Sequence, residues 1–243
     1  MAKASENLSH RGVFHFVWEA GCKLEARCRT VATAAVLTHR FLRLPESDQY
    51  CPRSVAAACL YIAGKVEEDF LKIRDVVNVC HRILHPDATE PLEVAEEYWA
   101  LREGLGKLEL VVLRSLKFRL HYDHPHKHLL FYLRSLKLWV PNRWSERVAK
   151  AAWTLLNDCY LHPELLEGEG EERSPQLIAL AVLYIAVRSY GLEIPSLEAE
   201  EEGRASNDNR WWRVLYEDVS TSDLFGLAEK ILATVHDCSA DDD

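Results

Sequence analysis

Residues 52–69 read PRSVAAACLYIAGKVEED, and their apolar side chains recur at helical spacing. One face of the predicted helix carries Val55, Cys59, Ile62 and Val66, as expected for a helix that packs on a core. Pro52 suits a first helical turn, where the missing N–H would have no partner inside the helix. Small alanines in the stretch let neighbouring helices approach closely, so we predict that this helix is the centre of its unit.

A second copy of this pattern lies in the C-terminal half of the chain. Leu60-Tyr61-Ile62-Ala63 corresponds there to Leu183-Tyr184-Ile185-Ala186. Two further pairs recur in the same order, Ala34-Ala35 with Ala151-Ala152 and Leu108-Glu109 with Ala228-Glu229. The offsets of 117 to 123 residues are far too long for a solenoid, and they indicate a duplicated unit.

Helical periodicity extends over nearly the whole chain, whereas strict two-residue alternation is almost absent. We therefore predict an all-α fold with about ten helices, five in each unit. The expected helices are 13–27, 30–43 with Thr30 as its cap, 52–69, 73–84, 92–116, 126–139, 144–162, 174–190, 210–218 and 221–236. The predicted domains are 12–122 and 123–237, followed by an acidic disordered tail at 238–243. The polar stretches 164–173 and 196–209 are expected to be loops.

Composition narrows the possible functions. The 243 residues carry a formal net charge of −9, which argues against a basic nucleic-acid-binding face. No apolar run is long enough for a membrane span, and no apolar signal core opens the chain. Seven cysteines without a C-x-x-C pair suit free thiols in a reducing compartment. We expect a soluble intracellular protein of the nucleus, the cytoplasm or both, with no cofactor and no enzymatic motif.

Two local motifs allow rival interpretations. HYDHPHKH at 121–128 contains four histidines, but no spacing brings three ligands together, so we predict no metal site. Trp211 and Trp212 stand between arginines, as in some nucleic-acid-binding surfaces. We favour instead a helix start that packs one indole into the second unit.

Several segments together resemble the cyclin family: WEAGCKL (18–24), LYIAGKVEE (60–68), IRDVVNV (73–79), LELVVLRSLKFRL (108–120), DHPHKHLLFYLRSL (123–136) and AVLYIAVRSYGLEIP (181–195). The resemblance implies two cyclin boxes of five helices each. It also implies a non-catalytic subunit that binds and activates a cyclin-dependent protein kinase, which acts on protein substrates. Within the family the chain is most similar to the cyclin Q (cyclin M) group, which implies the tenth kinase of the cyclin-dependent series as partner.

The same resemblance implies a kinase-binding set made of Lys65, Glu68, Glu109, Phe118 and Leu120. Glu109 has apolar neighbours one turn away on either side, and a carboxylate in such surroundings needs a partner. Lys65 ends its helix, where a cation suits the helix dipole. The pair therefore either joins two helices internally or faces a kinase, and the two roles can coexist.

An alternative function is a cyclin-fold transcription adaptor or scaffold that binds other proteins or nucleic acid. A third class, a metal-dependent enzyme, lacks any supporting motif. The apolar patch with which some cyclins recruit substrates would fall here on Ser9, Gly12, Val13 and Phe16. That patch is incomplete, so substrate docking on the first helix is not expected.

Overall fold

The computed structural model describes residues 10–87, 92–167, 173–194 and 211–240. Within these ranges the chain is all-α, as predicted, and contains no β-strand. The chain divides into two compact units, Met1–Tyr122 and Asp123–Asp243. Among the described residues, every helix is too short or too polar to span a lipid bilayer.

The first unit is built around its third helix. Its helices are α1 (His10–Lys23), α2 (Cys28–Leu42), α3 (Pro52–Val66), α4 (Ile73–Leu84) and α5 (Glu96–Ser115), with a 3-10 turn at Pro45–Gln49 between α2 and α3. Helix α3 contacts α1, α2, α4 and α5, which confirms its predicted central position. At the contact between α1 and α2, a Cβ added to Gly21 would overlap the Val31 side chain. Any larger residue at position 21 would therefore require the Val31 side chain to shift.

The second unit has the same organisation around α9. Its helices are α6 (His126–Trp139), α7 (Glu146–Asp158), α8 (Pro163–Leu166), α9 (Pro175–Ser189), α10 (Trp211–Leu215) and α11 (Thr221–Ala240), with a 3-10 turn at Cys159–Leu161 after α7. Helix α9 contacts α6, α7, α8 and α11, and its residues from Ile178 to Val187 are buried except Tyr184. The prediction that the helix carrying LYIA is central is confirmed in this unit too.

The start of α2 differs from the expectation. The helix begins at Cys28, so Thr30 lies in its first turn and does not cap it. Arg27 occupies the cap position without a side-chain cap, and Thr30 is buried. The reason lies in the tertiary structure. The Asp69 carboxylate, which follows α3, accepts the hydrogen bonds at this helix end.

Other differences concern helix ends and one core residue. Leu101 shares the apolar face of α5 with Leu105 and Leu108 but is 40% exposed, since it lines a groove beside α4. Within the stretch 164–173, which was predicted to be a loop, Leu165 and Leu166 are buried at the end of the short α8. Helix α11 continues to Ala240, so residues 238–240 are helical, whereas 241–243 and the predicted loop at 196–209 lie outside the described residues.

The two rival motifs have structural roles in the second unit. His124 Nδ1 lies 2.7 Å from Tyr160 Oη, and His126 Nε2 lies 3.1 Å from Asn157 Oδ1. Both histidines are buried, and they connect the start of α6 to the end of α7. Trp212 is buried against Tyr184 and Phe225, as the packing interpretation predicted.

Candidate functional site

A lysine and a glutamate from two neighbouring helices meet at the surface of the first unit. Lys65 lies in the last turn of α3, and its Nζ is 2.6 Å from Oε1 of Glu109 on α5. The lysine side chain is 52% exposed and the glutamate side chain 16% exposed. The ammonium also lies 4.2 Å from the centre of the Tyr61 ring, one turn earlier on α3. The pair is thus formed between two helices of the same chain, yet half of the lysine side chain remains open to a partner.

The electrostatics keep this lysine charged. Partial burial favours the neutral amine, but the hydrogen bond and the charge of Glu109 outweigh burial and raise the pKa of Lys65 above its ordinary value of 10.5. The stabilisation from this pair is therefore complete at neutral pH and disappears only as the pH rises through the raised pKa. Because ion pairs this exposed contribute little to folding, stability alone gives a weak reason for the pair.

The acidic turn, Glu67–Asp69, follows α3 directly. It closes the helix with a left-handed residue, Glu68 at φ +53°, and a hydrogen bond from the Asp69 N–H to the Gly64 carbonyl. The Glu68 side chain is exposed. A Cβ at residue 64 would lie 2.8 Å from the Asp69 carbonyl oxygen, so the return of the chain requires glycine there.

The other two carboxylates of the acidic turn bind the start of α2. Asp69 Oδ2 accepts hydrogen bonds from the Arg27 N–H at 2.8 Å and from Thr30 Oγ1 at 2.7 Å. Glu67 accepts a hydrogen bond from Thr33 Oγ1 at 2.7 Å and pairs with Arg29. Asp69 follows Lys65 by four residues, yet its carboxylate binds the start of α2. Of the three acidic residues, Glu68 is the exposed one.

The surroundings of Asp69 stabilise its ionised form. Burial disfavours the carboxylate, but the hydrogen bonds from the Arg27 N–H and Thr30, together with the Arg27 charge, lower the pKa of Asp69 below its ordinary value of 3.8. The carboxylate also sits at the positive end of the α2 dipole. It is therefore the capping acceptor that the α2 sequence itself lacks.

The segment after α5 carries the two remaining predicted residues. Lys117 and Phe118 both have left-handed backbones, with φ of +52° and +56°, and the Phe118 N–H donates to the Leu113 carbonyl. This turn leaves the Phe118 side chain 69% exposed, while Leu120 is half-buried against the core. A bulky residue in the left-handed region is uncommon, and such conformations concentrate at functional sites.

The structure therefore brings Lys65 and Glu109 into direct contact. Glu68, Phe118 and Leu120 lie on the turns that follow the same two helices. Sequence reasoning missed Tyr61 beneath the lysine, the anchoring by Asp69, and Phe70, which is 98% exposed. Phe70 could have been noticed as a large apolar residue that follows three acidic ones and interrupts their polar stretch.

An apolar groove of about 400 Å³ was also not foreseen. It runs beside α3, α4 and α5, and its walls include Ala57, Val77, Cys80, Leu84, Leu101 and Leu108. Phe16 of α1 lines its inner end. Val13 and Phe16 are both buried in the core, so the apolar part of the first-helix patch is not a surface. Ser9 lies outside the described residues.

Known structures share this fold. A chain of the yeast RNA Pol II CTD kinase CTDK-1 complex superposes with a TM-score of 0.65 at 18% identity, covering 92% of this chain and 64% of that one. A chain of the yeast TFIIK (Kin28/Ccl1/Tfb3) complex gives a TM-score of 0.57 at 17% identity, covering 92% and 84%. At these identities the likeness shows a shared fold and nothing more.

Sequence relatives carry the family assignment. Cyclin-K of Danio rerio is 28% identical over 229 residues, covering 94% of this chain and 50% of its own length. Cyclin-L1 of Xenopus laevis is 31% identical over 183 residues, covering 74% and 35%. The chain thus spans half or less of the length of these relatives. Residues 1–121 match the family description "Cyclin, N-terminal domain". The chain therefore belongs to the cyclin family.

Proposed function

We propose that this cyclin is a non-catalytic regulatory subunit that binds and activates a cyclin-dependent serine/threonine kinase. The single observation that carries the proposal is the Lys65–Glu109 pair, formed between α3 and α5 and half open at the surface. Glu68, Phe118 and Leu120 complete the proposed contact set. The exposed charges would fix the orientation of the kinase, and the apolar side chains would supply most of the affinity.

Activation would act on the regulatory helix of the kinase. A kinase transfers phosphate only when its strand lysine, the glutamate of that helix, the metal-binding aspartate and the activation loop are all in place. A rigid platform formed by α3 and α5 would hold the helix in its active position. To shift a kinase from 1:99 to 99:1 active, the cyclin must bind the active form more tightly by about 5.5 kcal/mol. A specific complex of this kind buries at least about 1,000 Å².

The proposal extends to a particular group and partner. The segments AGKVEE and HPHK support membership of the cyclin Q group, and with it the tenth cyclin-dependent kinase as partner. Substrates would then be proteins reached through that kinase. A location in the nucleus, the cytoplasm or both belongs to the same proposal.

The test removes both charges, with Lys65→Ala and Glu109→Ala in one variant. We expect binding to the purified tenth cyclin-dependent kinase to weaken about tenfold or more, because two oriented contacts are lost. Binding is measured by calorimetry, and folding by far-UV circular dichroism and thermal unfolding. The purified chain alone should transfer no phosphate and should stimulate transfer only when the kinase is added.

The matched control is a second ion pair on the same helix. Lys107 and Glu103 on α5 form an exposed pair at 2.6 Å, and replacing both with alanine should leave binding unchanged. Equal affinity of the wild type and of a folded Lys65→Ala/Glu109→Ala variant would remove the proposed site. Failure of the wild type to bind the kinase would remove the proposed partner.

A further inference from the structure

Phe70 is the most exposed large apolar side chain among the described residues. It is 98% exposed, whereas the next, Leu138, is 75% exposed. Single apolar residues at a surface are common, so exposure alone does not indicate a role. The position and the backbone of Phe70 are what distinguish it, because it follows the acidic turn at the end of α3.

The chain is fixed on both sides of this ring. Before it, Asp69 is held by its N–H bond to the Gly64 carbonyl and by its carboxylate bonds to α2. After it, Leu71 packs on the core of the first unit, and its Cγ lies 3.0 Å from where a Cβ on Gly64 would be. The phenyl ring is therefore presented by a rigid turn. The backbone at residue 70 therefore loses little conformational entropy when a partner covers the ring.

The surroundings of the ring define the chemistry of its partner. Glu68, two residues earlier, is exposed and carries a negative charge, and the proposed kinase-binding Lys65 ends the same helix. An exposed aromatic ring two residues after an exposed carboxylate fits an apolar pocket that has a lysine or arginine at its edge. Aromatic side chains that enter such pockets supply a large share of the energy in protein interfaces.

We propose that Phe70 is an anchor residue of the kinase interface, inserted into an apolar pocket of the kinase with a basic side chain beside Glu68. The inference rests on the proposed function and extends that surface beyond the five residues predicted from the sequence. In this arrangement Asp69 of the acidic turn holds the backbone, and Phe70, which follows the turn directly, makes the contact.

The first test compares Phe70→Ala with Phe131→Ala in the full-length chain. Phe131 on α6 is a second exposed phenylalanine, 60% exposed, and it serves as the control. We expect Phe70→Ala to raise the Kd for the purified tenth cyclin-dependent kinase about tenfold or more, and Phe131→Ala to leave it unchanged. Because both rings are exposed, both variants should melt at the wild-type temperature.

The second test detects contact directly. Benzoylphenylalanine incorporated at residue 70 should cross-link to the kinase under ultraviolet light, and the same group at residue 131 should not. Equal Kd values for Phe70→Ala and the wild type, or no cross-link from residue 70, would overturn the anchor role. If the wild type binds and the Lys65→Ala/Glu109→Ala variant does not, the proposed function stands, whatever the result for Phe70→Ala. If the wild type itself does not bind this kinase, the proposed partner and the anchor role of Phe70 toward it are both refuted.

Discussion

The central helices of the two units are built alike and end differently. Helices α3 and α9 each have 15 residues, begin with proline and carry the sequence LYIA at the same place. Each also ends in a left-handed residue whose successor donates its N–H to a carbonyl one turn back. In α9 that residue is Gly191, the usual choice. In α3 it is Glu68, although a left-handed backbone is unfavourable for any residue with a Cβ by about 1–2 kcal/mol.

The difference indicates what each turn is selected for. Gly191 gives the second unit an unstrained turn without a side chain. The first unit accepts the strain and thereby gains an exposed carboxylate at residue 68, between two others that anchor the turn. The charged pair differs in the same way. Lys65 contacts Glu109, whereas no ion pair is found between Arg188 and Glu229, two described residues at the corresponding positions. We infer that the first unit provides the contact surface.

The largest effect is expected when residue 64 is made to match its counterpart. Val187 occupies that position in α9, so Gly64→Val tests whether the turn of α3 tolerates what the turn of α9 does. A Cβ at residue 64 would meet the Asp69 carbonyl oxygen and Leu71, so we expect the free energy of unfolding to fall by about 1–3 kcal/mol. Urea denaturation measures the change. Gly106→Ala on α5, where a Cβ meets nothing, is the control and should not destabilise the protein.

A medium effect is expected from removing the carboxylate that anchors the acidic turn to α2. Asp69→Ala deprives the start of α2 of its acceptor and should lower the free energy of unfolding by about 1 kcal/mol. Glu68→Ala, in the same turn, should change it less. A loss no larger for Asp69→Ala than for Glu68→Ala would mean that the hydrogen bonds to α2 do not stabilise the turn.

This difference should depend on pH with a defined sign. Since the pKa of Asp69 is lowered in the folded protein, its contribution is complete above the ordinary value of 3.8 and declines as the pH falls through the lowered pKa. Wild type and Asp69→Ala should therefore converge in stability under acid. A constant difference down to the lowest pH at which both are folded would contradict the charged cap.

A similar effect and a smaller one are expected from exchanging the two left-handed residues. Gly191→Glu should destabilise the protein by about 1 kcal/mol, because it introduces the strain that α3 already carries. Glu68→Gly should stabilise it by less than that, because the relief of strain is partly offset by the greater backbone entropy of glycine in the unfolded chain. Thermal unfolding of both variants measures these changes in stability. Destabilisation by Glu68→Gly would show that the carboxylate is structural.

Much of the fold follows from periodicity. The apolar spacing placed α4 and α6 at the residues where they begin and end, and it identified both central helices. It failed at α2 because the partner of that helix start, Asp69, comes from a distant part of the chain. It failed at α8 because two leucines in a polar stretch gave no periodic signal, although both are buried.

The candidate site was predictable only in part. The spacing around Glu109 indicated that its carboxylate needs a partner, and the structure supplies Lys65, as the internal-pair interpretation expected. That these residues face a kinase stays a prediction. The left-handed backbones of Glu68 and Phe118 could not be foreseen, because glycine or asparagine normally marks such positions.

The tight contact at Gly21 has a consequence for positions far from the proposed surface. Val31, which fills the space that Gly21 leaves, belongs to the first turn of α2, and the Asp69 carboxylate binds that same turn. A side chain at residue 21 would require the Val31 side chain, or the turn of α2 that carries it, to shift. A buried glycine on α1 is thus linked through Val31 to the turn that binds the Asp69 carboxylate, and a mutational survey restricted to exposed residues would overlook it.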